Sequence, residues 1–106
     1  MFLTPQNGSS GTVQFAITTG GSGAEQQING SARLSTLAKH HVAVTMSGGT
    51  GILYVDGMAV GTNSSLTLTP SSLGNTVNNY IGKSQSATDP YLNGWIDEFR
   101  IYNVGL

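Results

Sequence analysis

Five carboxylates carry most of the acid–base potential of this chain: Glu25, Asp56, Asp89, Asp97 and Glu98. Glycoside hydrolysis needs two carboxyl groups facing each other across the scissile bond. Asp97 and Glu98 are neighbours, so on a strand they point to opposite faces. Asp56 precedes Gly57 and is claimed by a turn. No carboxylates recur along one strand face, and the pattern argues for structural use and against catalysis. His40 and His41 alternate faces in the same way and do not chelate a metal as a simple pair; His41 reads as a packed, hydrogen-bonded strand residue. There is no local motif for Ser-His-Asp or Cys-His chemistry.

Oxygen-rich ligation is a different matter. Calcium takes carboxylates, side-chain amides and backbone carbonyls. Asp89, Asn93 and Asp97 fall within one turn-then-strand segment and form a candidate calcium set, against the plainer reading that Asp89 and Asn93 shape the loop through bonds to nearby backbone. For sugars the useful groups are aromatic rings beside amides and hydroxyls. Tyr80, Tyr91 and Trp95, with Gln85 and Asn93, make up the candidate ligand-binding set. Trp95 shares a strand face with Phe99, so core packing is its simpler role; Tyr91 falls in a loop and is the better-exposed ring. Arg100 can meet Glu98 two residues away, as a surface pair worth little. Asn7, Asn29 and Asn63 begin glycosylation-type triplets, which chance produces readily in a chain this rich in Asn and Ser.

These residues need elements to hold them, and the composition favours β structure. Charged residues are 8% of the 106, the net charge is -1, and Gly occurs 15 times. Ser, Thr, Asn and Gly supply turns and pleated surfaces. Strand alternation runs through Thr12 to Thr18, where Val13, Phe15 and Ile17 oppose Thr12, Gln14 and Ala16. It recurs at His41 to Met46. Ile52 to Val55 leads through Asp56-Gly57 into Met58 to Val60, a two-residue type I′ hairpin. Met1 to Thr4 (as an edge strand), Ala24 to Ile28, Ser65 to Thr69, Asn79 to Gly82 and Gly94 to Tyr102 complete the expected strands. No segment carries helical periodicity. The length suits one domain, residues 1–106, and the pattern predicts an all-β antiparallel sandwich.

Four dispersed basic residues give no phosphate-binding cluster, which argues against nucleic acid. No apolar run reaches the length of a membrane span, and the first residues do not read as a signal peptide. With no cysteine, disulfides and thiol chemistry are excluded.

The segments His41-Val42-Ala43-Val44-Thr45, Leu53-Tyr54-Val55-Asp56-Gly57, Tyr80-Ile81-Gly82-Lys83-Ser84, Asp89 to Gly94 and Ile96 to Asn103 stand in an order that resembles the laminin-G-like jelly-roll modules of the concanavalin A-like lectin/glucanase superfamily. The clear match is 41–106. Two features depart from the family pattern: Lys39 stands where such modules place a Trp, and the aromatic-rich strands at their start are not evident. The resemblance therefore implies a jelly roll shortened on its N-terminal side, with sheet edges that a homo-oligomer would cover. It also implies a lectin-like accessory module of a secreted or cell-surface bacterial protein, contacting carbohydrate or cell-surface glycan and sometimes holding calcium. The leading expectation is a non-catalytic glycan-binding module. The alternatives are a self-assembling structural unit and, last, a glycoside hydrolase.

Overall fold

The computed structural model describes residues 1–105. Among the described residues seven strands form: β1 (Phe2–Thr4), β2 (Gln14–Ile17), β3 (Gln26–Asn29), β4 (Val42–Ser47), β5 (Thr50–Val55), β6 (Met58–Asn63) and β7 (Tyr80–Ile81). No α-helix occurs among the described residues; one 3-10 turn, Pro70–Leu73, joins β6 to β7. The strands make two sheets, ordered β3-β2-β1-β7 and β4-β5-β6. All pairings are antiparallel except β1 with β7. The fold is the all-β, largely antiparallel sandwich that the strand pattern predicts.

Alternation decides what faces inward. Phe15 and Ile17 of β2, Ile28 of β3 and Leu53 of β5 meet Val13 and Leu66 between the sheets. Their neighbours on β2, Gln14 and Ala16, turn outward beside Phe2 and Thr4 of β1. That outer face is buried as well, for a reason given below.

The hairpin β5–β6 closes through Asp56 (φ 51°) and Gly57 (φ 82°), the double positive φ of a type I′ turn. On one side the two sheets are drawn together. Ser31 N–H donates to the Val60 carbonyl at 2.9 Å, and Asn63 Nδ2 donates to the Gln27 carbonyl at 2.8 Å. The approach is so close that a Cβ at Gly61 would collide with the Asn29 carbonyl. The opposite side, between β7 and β4, has no such closure.

Four expected elements differ from the structure. β1 is not an edge strand: it lies between β2 and β7. Ser65 to Thr69 is not a strand. The Gln26 Oε1 accepts the N–H groups of Thr67 and Leu68 at 2.9 and 3.0 Å, so a side chain satisfies donors that a ladder would have used. His41 is exposed rather than packed, and its neighbour His40 makes the ring hydrogen bonds. Gly94 to Tyr102, the most strand-like stretch of the C-terminal part, forms no ladder. Its residues cross the open side of the sandwich. Leu92 N–H donates to the Gly82 carbonyl at 2.7 Å just past β7, Lys39 Nζ bonds Asp97 at 2.7 Å just ahead of β4, and Gly105 rests near Met46 and Ser47 at the end of β4. Without a strand partner its apolar side chains stay in solvent; Trp95, expected to pack with Phe99, is 99% exposed.

Candidate functional site: a polar cleft on the outer face of the four-stranded sheet

Segment 84–89 explains why the outer face of β1 and β2 is buried. It is tethered at both ends. Gln85 Nε2 donates to Glu25 Oε1 at 2.6 Å, just before β3, and Asp89 Oδ1 accepts the Gly8 N–H at 2.9 Å, just after β1. The segment therefore stretches over the sheet. Its own turn is fixed by Ser84, whose hydroxyl accepts the Ser86 N–H at 3.0 Å.

Across from it, Asn7 organises the other wall. Its Oδ1 accepts the N–H groups of Ser9 and Ser10 at 3.0 and 2.7 Å, an Asx-type turn. Asn7 N–H donates to the Thr12 carbonyl at 3.0 Å and closes the loop. Between these walls opens a cleft of about 620 Å³, within the usual range for small-molecule sites. Its floor is a row of amides projecting from β2 and β3. Gln14 Nε2 donates to Asn29 Oδ1 at 2.7 Å, and Asn29 Nδ2 donates to Gln27 Oε1 at 3.5 Å. Phe2 is the aromatic residue of the lining; Glu25 and Asp89 supply carboxylates to it, and Ser86 and the buried Ser84 supply hydroxyls.

Glu25 decides part of the chemistry. Burial opposes its charge, but the bonds from Gln85 and from the Gly23 N–H (2.7 Å) outweigh that and hold its pKa below the ordinary 4.5. A glycosidase needs one carboxyl that stays protonated near neutral pH. Glu25 is held in the opposite state. It is an ionised hydrogen-bond acceptor.

The residues singled out in the sequence are dispersed. Asp89 lines the cleft; Gln85 does not line it and is joined to it only through its bond to Glu25. Tyr80 and Tyr91 meet around Lys83, whose Nζ lies 4.4 and 4.9 Å from their ring centres, a double cation–π contact. Tyr80 Oη also donates to Asn78 at 3.2 Å. Asn93 and Trp95 belong to the exposed segment. The three oxygen ligands of the calcium set go separate ways: Asp89 turns to Gly8, while Asp97 meets an ammonium cation, Lys39, which holds its pKa below the ordinary 3.8. Among the described residues no three His, Cys, Asp or Glu side chains gather as a metal site.

From sequence, Gln14 and Gln27 are not singled out, Glu25 stands only as one of five carboxylates, and Asn29 only as the start of a glycosylation-type triplet. Their signal was the alternation itself: Gln14 opposes Phe15 and Ile17, and Gln27 and Asn29 flank Ile28, so each polar side chain must share the face opposite the core.

A second constellation forms at the other sheet. Ser35 Oγ lies 3.0 Å from His40 Nε2, and His40 Nδ1 lies 2.7 Å from Asp56 Oδ2. The order Ser–His–Asp imitates a nucleophile triad. His40 Nε2 also lies 3.0 Å from the Ser35 carbonyl, which competes with the hydroxyl for that nitrogen, and none of the three residues lines the cleft. The bond to Asp56, then that to the Ser35 carbonyl, raises the His40 pKa above its ordinary 6.5.

The comparisons with known proteins bear on the fold and the whole length of the chain. The family model described as Concanavalin A-like lectin/glucanases superfamily matches residues 2–106. No curated protein matches. The chain is similar to a solved S-layer domain-containing protein (residues 221-444) from Clostridium thermocellum ATCC 27405, with 44% identity and a TM-score of 0.58 over 89% of this chain. It spans 46% of that solved chain, about half its length.

Proposed function

The chain belongs to the concanavalin A-like lectin/glucanases superfamily, and from that premise we propose that it is a non-catalytic binding module that takes hydroxyl-rich carbohydrate in the cleft over β2 and β3. The observation that carries this reading is the amide row Gln14–Asn29–Gln27, set between the carboxylates of Glu25 and Asp89. Side-chain amides donate and accept at once, and ionised carboxylates accept two bonds per oxygen. Vicinal sugar hydroxyls, which also donate and accept, match that lining better than an anion or an apolar ligand would. Placement in a secreted or surface-exposed bacterial protein goes with the same reading, supported by the resemblance to an S-layer domain-containing protein.

An array of neutral and acidic glycans, probed with and without calcium, tests it. Retention of neutral glycans that falls in a Gln27→Ala variant is the expected result. Retention unchanged by that variant, or none on any glycan, contradicts the cleft as the site. A second reading, an assembly unit, is favoured by one observation: the apolar, strand-patterned segment 91–104 is exposed.

A further inference from the structure

The sequence Trp95-Ile96-Asp97-Glu98-Phe99-Arg100-Ile101-Tyr102 has the alternation of a strand and the exposure of a surface. Phe99 is 63% exposed and Ile101 72%. Backbone with this composition pairs wherever a partner is offered, and an unpaired, apolar strand-like segment is an association site. What partner it fits is written in the order of its charges. When two copies of the segment run antiparallel with Phe99 facing Phe99, Glu98 of each copy lies opposite Arg100 of the other. Ile96 then lies opposite Tyr102, so the face that carries the charge pairs is flanked by apolar pairs. Directly opposed side chains are the units that stabilise a ladder, and opposite charges there are favourable. The face carrying Ile96, Glu98, Arg100 and Tyr102 is therefore complementary to itself; on the other face Phe99 meets Phe99 while Asp97, held by Lys39, lies opposite Ile101.

Its anchorage suits that use. The Leu92–Gly82 bond, the Lys39–Asp97 pair and the approach of Gly105 to Met46 fasten it to the rim of the sandwich at intervals. A free two-stranded ribbon is marginal in water; one fastened to two sandwiches is held in place already. Glu98 and Arg100 now bond within one chain at 3.1 Å, with side chains 71% and 64% exposed, so both are available for exchange.

We infer that residues 95–102 form the interface of a two-fold symmetric dimer, a second copy of this chain supplying the antiparallel strand in the register centred on Phe99. This rests on the assembly reading, gives it a partner and a register, and is independent of the cleft. Isologous contact is the commonest route to a closed dimer.

Charge reversal tests the pairing. Arg100→Glu places Glu opposite Glu across the two-fold, and Glu98→Arg places Arg opposite Arg. Light scattering across a concentration series should show a dimer for the wild type and monomers for each single variant. An equimolar mixture of the two variants should recover the dimer, because each then opposes its complement. The double variant Glu98→Arg/Arg100→Glu should dimerise as the wild type does, which separates lost pairing from lost folding. A wild type that stays monomeric overturns both this proposal and the assembly reading. A dimer that survives in both single variants, or a mixture that stays monomeric, overturns this register alone.

Discussion

Asp56 carries three bonds that the turn beneath it makes available. Its positive φ swings the carboxylate back over the start of β4, where Oδ1 accepts the His41 N–H at 2.9 Å and Oδ2 meets His40; its own N–H donates to the His41 carbonyl at 2.8 Å. The bond with His40 holds the Asp56 pKa below 3.8 and raises that of His40 above 6.5. A raised His value means a contribution complete below pH 6.5 and lost as pH climbs through the folded-state pKa. A lowered Asp value means one complete above pH 3.8 and lost as pH falls through the folded-state pKa. Thermal melts should therefore show the wild type losing stability as pH rises above 6.5, with His40→Gln flattening that dependence. An equal slope in both proteins would contradict the account. At the cleft, Asp89→Ala removes the acceptor of the Gly8 N–H and frees one end of segment 84–89. It should cost about 1 kcal/mol in urea unfolding.

The strands show what single-chain patterning conveys and what it leaves out. β2, β4 and the β5–β6 hairpin were legible because alternation and the Asp56-Gly57 turn act over a few neighbouring residues. Gly94 to Tyr102 has equally good alternation and still forms no ladder, because a strand is a property of a pair and no partner runs beside it. Ser65 to Thr69 failed for a different reason, the competing acceptor on Gln26, some forty residues away. Little of the cleft was legible: of the candidate binding residues only Asp89 lines it, and the links that tether its covering segment, Gln85 to Glu25 and Asp89 to Gly8, span 60 and 81 residues with no local pattern behind them. Close approach of elements is equally invisible from spacing. Gly61→Ala should destabilise by about 1–3 kcal/mol, since its Cβ must displace the Asn29 carbonyl of β3. Denaturant unfolding measures this, and a neutral result would mean that β3 and β6 are less closely apposed than described.

At the scale of the whole molecule, one core sits between two sheets that close along β3 and β6 and remain open along β7 and β4. Leu53 is fully buried in that core, and Leu53→Ala should cost about 2–5 kcal/mol, a large share of the stability of a domain this small. The closed and open sides divide the surface into two uses. The polar face is covered over β2 by a tethered segment and leaves the Gln27 and Asn29 amides of β3 exposed, which suits recognition of a small hydrophilic ligand. The open side exposes Trp95, Phe99 and Ile101, which suits association. The most direct test of the cleft follows the side-chain amide signals in a two-dimensional NMR titration with a panel of neutral oligosaccharides. The account predicts that the Gln14, Gln27 and Asn29 amides shift with added sugar while those of Asn78 and Asn93 stay fixed. Shifts confined to Asn93 and the backbone around Tyr91, with the cleft amides unmoved, would contradict it.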